Sequence, residues 1–485
     1  MKLFVGGDLS GIQNFLYNIS SKKAALSLRG RSWYLDDYMK GVYKELTKQM
    51  TPKTSMKDIY NSGGKFYFIT EDNPENRSKI DKTAKERNQE LWDEHFGLLS
   101  INIAYVPFEE VADDKVKVFE PEETDKIGIL FRRITQEFAK QKQHKFKDVI
   151  LDNYDKIFSA QQVSDKTEVC DVTGIESDEL CDIEGLWVLP SVKEQIEKGR
   201  EIKGEEKIRS DFADYCEGSY LGVLRMDVDG LGTRFAKGFN NWTEYTTFST
   251  ALQDFFSKTI KGFVDKQYVE IIYAGGDDVF AVGKWDKLID FAYRVHTELE
   301  TKFNKEGIHI SAGLVIVNPK FPIAKAAKIS GDAEEMSKQY IKDKDKEDTK
   351  QKPTKNAITF FNETISWQEE FEKVREDKDC LLDLVNNHGM SKGLLHKIMY
   401  YYGMQKESEK DKQQMSYIWH SAYYLTRFMD KYKENQPEVY DFCKQVRDTR
   451  ITKAKELKLL AIACRWAELI LKETDKENKE NKINN

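Results

Sequence analysis

The sequence predicts an α+β protein with two copies of one β-α-β-β-α-β unit and an all-helical C-terminal domain. Three observations predict this fold. Strands that end in acidic residues occur twice, each is followed by the same series of helix, hairpin, helix and strand, and the last part of the chain has helical periodicity. At ~150 residues per domain, the 485 residues correspond to about three domains.

The first copy starts at the N-terminus. The segment KLFVGGD indicates a short strand that ends at Asp8, and apolar residues at helical spacing predict a helix over 32–49. A hairpin follows, in which DIY and KFYFIT flank the turn NSGG. A charged periodic segment at 71–94 predicts the next helix, and LLSINIAYVPF predicts a closing strand that ends near Phe108.

The second copy repeats this order. Its first strand, YLGVLRMDVDG at 220–230, ends in acids, and the pattern at 243–265 predicts a helix. A hairpin at 268–283 contains the turn GGDD, a second helix covers 285–304, and GIHISAGLVIV at 307–317 predicts the last strand.

The spacing of the motifs repeats as well. Gly63 follows Asp8 by 55 residues, and Gly275 follows Asp227 by 48. Both hairpins contain Gly-Gly and all elements keep the same order, which indicates a duplication. We therefore expect an α+β fold with two ferredoxin-like domains, a helical insert between them and an all-helical C-terminal domain.

These elements divide the chain into four predicted parts. The first α+β unit covers 1–108 and the second covers 220–362. A charged, mostly helical segment at 109–219 lies between them, and a helical domain at 363–485 ends the chain.

The composition excludes several classes of protein. Lys and Arg total 76 and Asp and Glu total 83, and the net charge of −7 excludes a uniformly basic nucleic-acid coat while permitting a local basic groove. No apolar run reaches the ~20 residues that span a bilayer, and the N-terminus lacks a signal-peptide pattern. The six cysteines are irregularly spaced, which is typical of reduced thiols. We expect a cytoplasmic protein without a membrane partner.

The tetrapeptide GGDD carries the chemistry of the second copy. Gly275 and Gly276 permit a tight turn that a phosphate or base can approach, and Asp277 and Asp278 project from it. Gly and Asp are also favoured in ordinary turns, so the motif gains meaning only together with acids elsewhere.

Those acids are Asp227 and Asp229, which end the strand that we expect beside the hairpin. Three or four carboxylates at one point repel one another unless divalent cations lie between them. Mg²⁺ prefers oxygen ligands and keeps phosphates as co-ligands, so the cluster predicts a nucleotide site with two metal ions suited to phosphoryl transfer.

The first copy differs at its hairpin. Gly63, Gly64 and Lys65 replace GGDD, so we expect this copy to bind a nucleotide through Lys65 rather than to hold two metal ions. Ser10 follows the first strand at the start of a predicted helix, where it either borders a phosphate or caps the helix.

Basic residues also lie near the start of the next helix. Arg29 and Arg31 either form surface salt bridges or contact RNA or protein, and Lys22 and Lys23 offer further basic positions.

Seven segments are informative in combination. They are GDLSGIQNFLY, SLRGRSWYLDDY, YNSGGKFYF, RMDVDGLGTRF, YAGGDDVFAVG, ISAGLVIVNPKFPI and KNAITFF. Together they resemble the large polymerase-like subunit of type III CRISPR effector complexes. The resemblance runs in order from Met1 to about Phe361, and the helical C-terminus is compatible with it.

The resemblance implies two palm domains packed face to face, each holding one ATP, and synthesis of cyclic oligoadenylates when target RNA binds. It implies Mg²⁺ or Mn²⁺ as metal, ATP as substrate, and three kinds of partner: backbone subunits with guide RNA, a small helical subunit, and target RNA. The implied metal-binding catalytic acids are Asp227, Asp277 and Asp278, with Asp229 as an accessory acid; the implied nucleotide-binding residues are Ser10, Gly63, Gly64, Lys65, Gly275, Gly276 and Lys338.

The sequence departs from this family in two places. Many members begin with an HD nuclease domain, but no His of this chain is followed by Asp, so we expect no HD nuclease activity. Many members also carry a four-cysteine zinc module between the palms. Here that region contains Cys170 and Cys181, with Cys216 farther on, and we expect a degenerate module without zinc.

Other functions stay open at this point. The same palm chemistry would also join AMP to another acceptor, such as S-adenosylmethionine. A GTP cyclase of the GGDEF type is disfavoured because the hairpin lacks the Glu-Phe pair. A non-catalytic scaffold that only binds nucleotides is the alternative from a different class.

Overall fold

The computed structural model describes residues 1–20, 23–111, 115–119, 121–159, 168–203, 211–342, 353–410 and 415–483. The chain forms two compact units, Met1–Glu335 and Met336–Asn485. The first is mixed α and β and contains both predicted copies, whereas the second is mainly helical. The finer division into four parts stays a prediction.

The first copy is built on an antiparallel sheet. Its elements are β1 (Lys2–Ser10), α1 (Ile12–Tyr17), α2 (Ala24–Gln49), β2 (Lys57–Ser62), β3 (Lys65–Glu71), α3 (Pro74–His95), β4 (Ser100–Val111), β5 (Lys115–Val118) and β6 (Glu123–Lys126). The strands lie in the order β2-β3-β1-β4-β5-β6. The closing strand thus runs past Phe108 to Val111, and two strands that the sequence did not suggest extend the sheet.

The segment between the copies contains helices and two small hairpins. Its elements are α4 (Gly128–Gln143), α5 (Lys147–Asp152), α6 (Tyr154–Phe158), β7 (Glu168–Val169), β8 (Glu176–Ser177), β9 (Cys181–Ile183), β10 (Leu186–Val188) and α7 (Pro190–Lys203). Helix α4 packs on β4 and β1. Helices α2 and α7 approach closely because Gly30 has no side chain: a Cβ there would lie 1.7 Å from the carbonyl oxygen of Gln195.

The second copy has the same strand order as the first. Its elements are β11 (Leu221–Val228), α8 (Leu231–Lys237), α9 (Trp242–Asp254), α10 (Ile260–Gly262), β12 (Val269–Gly275), β13 (Asp278–Lys284), α11 (Trp285–Phe303), β14 (Ile310–Val317) and α12 (Ile323–Lys338). The order β12-β13-β11-β14 corresponds to β2-β3-β1-β4, and all these pairs are antiparallel.

Sheet register aligns the two copies residue by residue. Asp8 of β1 pairs with Lys65 of β3, and Asp227 of β11 pairs with Asp278 of β13. Lys65 therefore corresponds to Asp278, and Gly64 to Asp277. The sequence comparison, which matched the Gly-Gly pairs with each other, was displaced by one residue.

One hydrophobic core joins the two copies. It includes Phe66 and Phe68 of the first sheet and Phe280 and Val282 of the second, all almost fully buried. The ring of Tyr17 packs on Phe280 with centroids 4.8 Å apart. Burying large apolar side chains contributes about 1.5–3 kcal/mol each, so the cleft between the copies has a stable base.

The second unit consists of a hairpin and helices. Its elements are β15 (Ala357–Phe360), β16 (Glu363–Ser366), α13 (Glu372–Asn386), α14 (Gly393–Lys410), α15 (Ser416–Met429), α16 (Pro437–Gln445) and α17 (Ala454–Ile483). Helix α17 packs against α13 and α14, and Trp466 makes an edge-on contact with Phe360 at 5.7 Å. Among the described residues, no helix is both long and apolar enough to cross a membrane.

Candidate nucleotide and metal site

Three carboxylates converge where β11 lies beside the hairpin of β12 and β13. Asp227 and Asp278 are Cα partners across β11 and β13, and Asp277 occupies the adjacent turn. One carboxylate oxygen of each lies within 4.8 Å of the others, and all three residues are half-buried. Directly opposite residues of an antiparallel pair have neighbouring side chains, so register alone brings Asp227 and Asp278 together.

The acids strongly influence one another. Burial raises the pKa of the Asp278 carboxyl well above its usual range, and the hydrogen bond with Asp227 and the charge of Asp277 raise it further. Three ionised carboxylates at this spacing need a cation between them. Carboxylate oxygens are the donors that Mg²⁺ and Mn²⁺ prefer, so Asp227, Asp277 and Asp278 fit a divalent ion.

Asp229 lies outside this group of three in the described part of the chain. The Ser311 hydroxyl lies 2.9 Å from each of its carboxylate oxygens, and its backbone N–H donates to the His309 carbonyl at 2.9 Å. The Asp229 carboxylate is thus held by a hydrogen bond from Ser311 of the neighbouring strand β14.

The acidic turn itself is short. β12 ends at Gly275 and β13 begins at Asp278, so Gly276 and Asp277 form a two-residue turn. Gly276 has a φ of +67°, which favours glycine, and the Val228 N–H donates to the Asp277 carbonyl at 3.0 Å. The backbone of the turn is therefore bonded to the strand that carries Asp227.

A cleft of about 430 Å³ connects the turn to the first copy. Asp277 and Asp278 of the second copy line it together with Ser10, Gly63 and Lys65 of the first copy. The fold thus places acids from one copy in the same cleft as a hydroxyl and a cation from the other.

Two cations that the sequence analysis did not select also line this cleft. Lys142, near the end of α4, forms an ion pair with Asp8 at 2.6 Å, and Arg225 contacts Glu334 at 3.5 Å. Arg225 precedes Asp227 by two residues on β11, so the alternation of the strand would have placed both on one face. No motif marks Lys142, which comes from the segment that was predicted only as helical linker.

Ser10 is the last residue of β1 and does not cap a helix. The cap position of α1 belongs to Gly11, with a φ of +92°, and the Asn102 amide donates to the Ser10 hydroxyl oxygen at 2.9 Å. The capping alternative is therefore wrong, and the hydroxyl proton of Ser10 is available for a ligand in the cleft.

A second cavity of about 620 Å³ lies next to the hairpins. Gly64 and Gly275 line this cavity, while Gly63 and Tyr273 border both it and the cleft. Three of the four predicted glycines thus line these two adjoining spaces, whereas Gly276 is not among the lining residues of either.

Arg29 and Arg31 are buried, so neither interpretation made from the sequence is correct for them. Arg29 Nε donates to Glu270 at 2.8 Å, linking α2 to β12. Arg31 donates to the carbonyls of Phe15 and Asn18, and burial lowers its pKa to about 10.

The remaining sequence predictions concern three lysines and the cysteines between the two copies. Lys23 pairs with Glu184 at 2.6 Å, and Lys22 lies outside the described residues. Lys338, the last residue of α12, belongs to the second unit, and its phosphate role stays a prediction. Cys170 and Cys216 are buried and Cys181 is half-buried, and these three cysteines are not in disulfide bonds.

Two protein families match the chain. Residues 220–348 match the second palm domain of Cas10/Cmr2, and residues 1–162 match domain B of the Csm1 subunit. The first match covers the acidic turn and the second covers the hairpin with Lys65.

Curated relatives show the same likeness. A Cas10/Csm1 protein of Methanocaldococcus jannaschii, named a single-strand-specific deoxyribonuclease of a subtype III-A CRISPR system, is 25% identical over 488 residues, covering 76% of this chain and 60% of that protein. A protein of the same name from Enterococcus italicus is 25% identical over 469 residues, covering 82% of this chain and 59% of the relative. The chain spans about 60% of the length of these relatives.

Solved structures share the fold. A crystal structure of a Csm1–Csm4 cassette with one ATP has a TM-score of 0.63 and 17% identity, covering 95% of this chain and 70% of that one. The cassette with cA4 gives a TM-score of 0.62 and 18% identity over the same shares. Fold and site together define a mixed α+β palm-domain protein. The chain belongs to the Cas10/Csm1 family, the polymerase-like subunits of type III CRISPR systems.

Proposed function

We propose that this chain converts ATP to cyclic oligoadenylates within a type III CRISPR effector complex. The observation that carries the proposal is that Asp277 and Asp278 line the same cleft as Ser10 and Lys65 of the first copy. An acid cluster that shares a cleft with a hydroxyl and a cation suits a nucleoside triphosphate, because the phosphates need positive charge and hydrogen-bond donors. Solved relatives in complex with ATP and with cA4 support this choice of ligand.

The finer architecture belongs to the same proposal. Strand order 2-3-1-4 with two crossing helices is that of a ferredoxin-like palm, and it occurs in both copies. We infer two palm domains, of which only the second carries the acids for metal ions.

The roles of the residues follow from their positions. Asp227, Asp277 and Asp278 would hold Mg²⁺ or Mn²⁺, with Asp229 as an accessory acid. When bound by these residues, a pair of such ions would lower the pKa of an attacking 3′-hydroxyl and stabilise the charge of the pyrophosphate that leaves.

The chain's own donors orient the nucleotides. Ser10 would donate its hydroxyl proton to a phosphate oxygen, and Lys65 would neutralise phosphate charge from the first palm. Gly275 and Gly276 let the nucleotide approach the backbone of the turn, Gly63 and Gly64 do so from the other side, and Lys338 would contact phosphates. Holding two ATP molecules in this way replaces a bimolecular encounter by a positioned reaction.

The partners of this proposal are those of a type III complex: backbone subunits with guide RNA, a small helical subunit, and target RNA. Solved relatives in Csm1–Csm4 cassettes, one described as a subcomplex of the type III-A interference complex, support assembly of this kind.

The test uses the assembled complex with labelled ATP, Mg²⁺ and target RNA, followed by mass spectrometry. We expect cyclic oligoadenylate and pyrophosphate, and loss of both when Asp277→Ala is combined with Asp278→Ala. Asp254→Ala is the control, because that carboxylate, on the last residue of α9, forms an exposed ion pair with Lys258. Absence of any nucleotide product with intact RNA binding would refute the proposal, and an AMP conjugate would replace it.

A further inference from the structure

The first palm has an ion pair at the position that corresponds to the acid cluster. Register places Asp8 where the second palm has Asp227, and Lys65 where it has Asp278. Lys142 Nζ lies 2.6 Å from Asp8 Oδ2. Where the second palm crowds carboxylates, the first thus has one carboxylate and two lysines.

Burial makes the pairing of Asp8 necessary. Its side chain is only 8% exposed, and an ionised carboxylate so deep in a protein requires a cation. A metal ion would satisfy this requirement in the second palm. In the first palm the chain supplies the positive charge itself.

Lys142 has room to act on a ligand as well. Its side chain is 49% exposed, and it lines the cleft together with Lys65 and Ser10. An ammonium group has three donors, of which Asp8 accepts one, so donors remain for phosphate oxygens.

The duplication gives independent support. In each copy a helix follows the fourth strand of the repeat. In the first copy this is α4, which comes after β4 and the two added strands β5 and β6; in the second copy it is α12, which comes directly after β14. Helix α4 has two lysines in its last turn, Lys140 and Lys142, of which Lys142 lines the cleft, and α12 has Lys338 in its last turn. A lysine in the last turn of this helix is therefore a repeated feature of the architecture.

We propose that the first palm binds the triphosphate of a nucleotide without a divalent ion, and that the Lys142 ammonium, held by Asp8, takes the charge-neutralising place of the metal. This inference rests on the proposed function for the identity of the nucleotide. Lys142 then positions one nucleotide, while the acids of the second palm act on the other.

The test measures binding of the ATP analogue AMPPNP to the full chain in excess EDTA by isothermal titration calorimetry. We expect one AMPPNP per chain for the wild type, and affinity about tenfold or more weaker for Lys142→Met, because a charge-assisted hydrogen bond is lost. Lys142→Arg should retain binding, since it keeps the charge.

A control separates this role from a general loss of positive charge on the helix. Lys140→Met changes a lysine of the same helix that pairs with Glu137 at 2.6 Å and is not among the residues that line the cleft. This variant should leave AMPPNP binding unchanged.

The inference is overturned if the wild type binds no AMPPNP in EDTA, or if folded Lys142→Met binds it as tightly as the wild type. If Lys142→Met fails to fold, Lys142→Gln takes its place: a folded Lys142→Gln that binds AMPPNP as tightly as the wild type would also overturn the inference. Lys142→Arg, which keeps the charge, should still bind AMPPNP as the wild type does. Binding that depends on Lys142 in a complex that makes no product from ATP would refute the proposed function and leave this inference standing.

Discussion

Gly63 and Gly276, the turn glycines of the two copies, lie against each other. A Cβ atom on Gly63 would lie 2.8 Å from the backbone nitrogen of Gly276 and 2.9 Å from its Cα. Cβ atoms do not approach backbone atoms so closely, and the backbone of Gly276 cannot relieve the contact by a change of rotamer as a long side chain can. The hairpin of the first copy therefore sets the position of the acidic turn in the second copy.

This contact predicts that Gly63→Ala lowers catalytic activity without unfolding the protein. The added methyl group must push the acidic turn away, and a shift of about 1 Å in a catalytic group costs up to about 100-fold in rate. We expect a loss of about 10- to 100-fold in product formation by the assembled complex.

Gly307→Ala is the matched control for this substitution. Gly307 has a φ of +62°, close to the +60° of Gly63, but a Cβ there would meet no atom of the described residues within 4 Å. Both variants carry the same backbone strain, about 1–2 kcal/mol, and only Gly63→Ala has the collision. Equal activity of the two variants would show that the contact does not position the turn.

The strand pattern could be predicted because each copy alternates short apolar runs with amphipathic helices. The two added strands β5 and β6 were not predicted because their sequences, KVKV and ETDK, are short and charged. They are strands because β5 pairs with β4 and β6 pairs with β5. The equivalence of the hairpins was off by one residue because Gly-Gly is common in turns, whereas true correspondence is set by register across β1 and β11.

The part of the candidate site that could be predicted from the sequence is the part formed by residues on neighbouring strands of one sheet. Asp227 and Asp278 follow from a strand beside a hairpin, but Lys142 reaches the cleft from a helix that lies far along the chain. The burial of Arg29 was also outside the reach of sequence, because its partner Glu270 is 241 residues away. Such contacts depend on tertiary packing.

Asp229 and Ser311 provide a prediction about the edge of the acid cluster. The Asp229 carboxylate is hydrogen-bonded to the Ser311 hydroxyl and lies outside the group formed by Asp227, Asp277 and Asp278. Asp229→Asn should therefore lower product formation by at most about 10- to 100-fold, which is the loss typical of a residue that supports metal ligands without binding the metal itself. Asp227→Asn should lose activity more completely. Steady-state rates at saturating Mg²⁺ measure both.

Ser311→Ala tests whether the hydroxyl acts through Asp229. We expect the double variant Ser311→Ala with Asp229→Asn to be no worse than Asp229→Asn alone, since both changes affect one contact. Losses that multiply would contradict this coupling.

The pair of Arg29 and Glu270 predicts a large effect on stability. The two side chains are 7% and 12% exposed, and the Tyr215 hydroxyl also donates to Glu270 at 2.9 Å. Arg29→Met leaves the buried carboxylate without its cation, so we expect a loss of about 3–5 kcal/mol in the free energy of unfolding. Adding Glu270→Gln should restore part of it.

Lys40→Met on the same helix is the control for this pair. Lys40 pairs with Asp36 at the surface, with side chains 59% and 54% exposed, so its removal should cost no more than about 1 kcal/mol. Denaturant unfolding of each variant measures the difference. If Arg29→Met were as mild as Lys40→Met, the link between α2 and β12 would have no structural importance.

His95 predicts how stability depends on pH. Its ring packs on Phe15 and Tyr34, one ring nitrogen lies 2.7 Å from the Tyr34 hydroxyl, and burial together with the charge of Arg31 lowers its pKa to about 4. The unfolded chain, with an ordinary pKa of about 6.5, binds the proton first. The stability contributed by neutral His95 is therefore complete above about pH 6.5 and falls by about 1.4 kcal/mol per pH unit between there and about pH 4.

His95→Gln removes this proton binding, so the stability difference between wild type and variant should shrink as the pH falls from 7 to 5. His144→Gln, at an exposed position, should leave the slope of the wild type unchanged. Urea unfolding at several pH values measures both slopes. A His95→Gln protein whose stability falls as steeply as that of the wild type would mean that other groups take up the proton on unfolding.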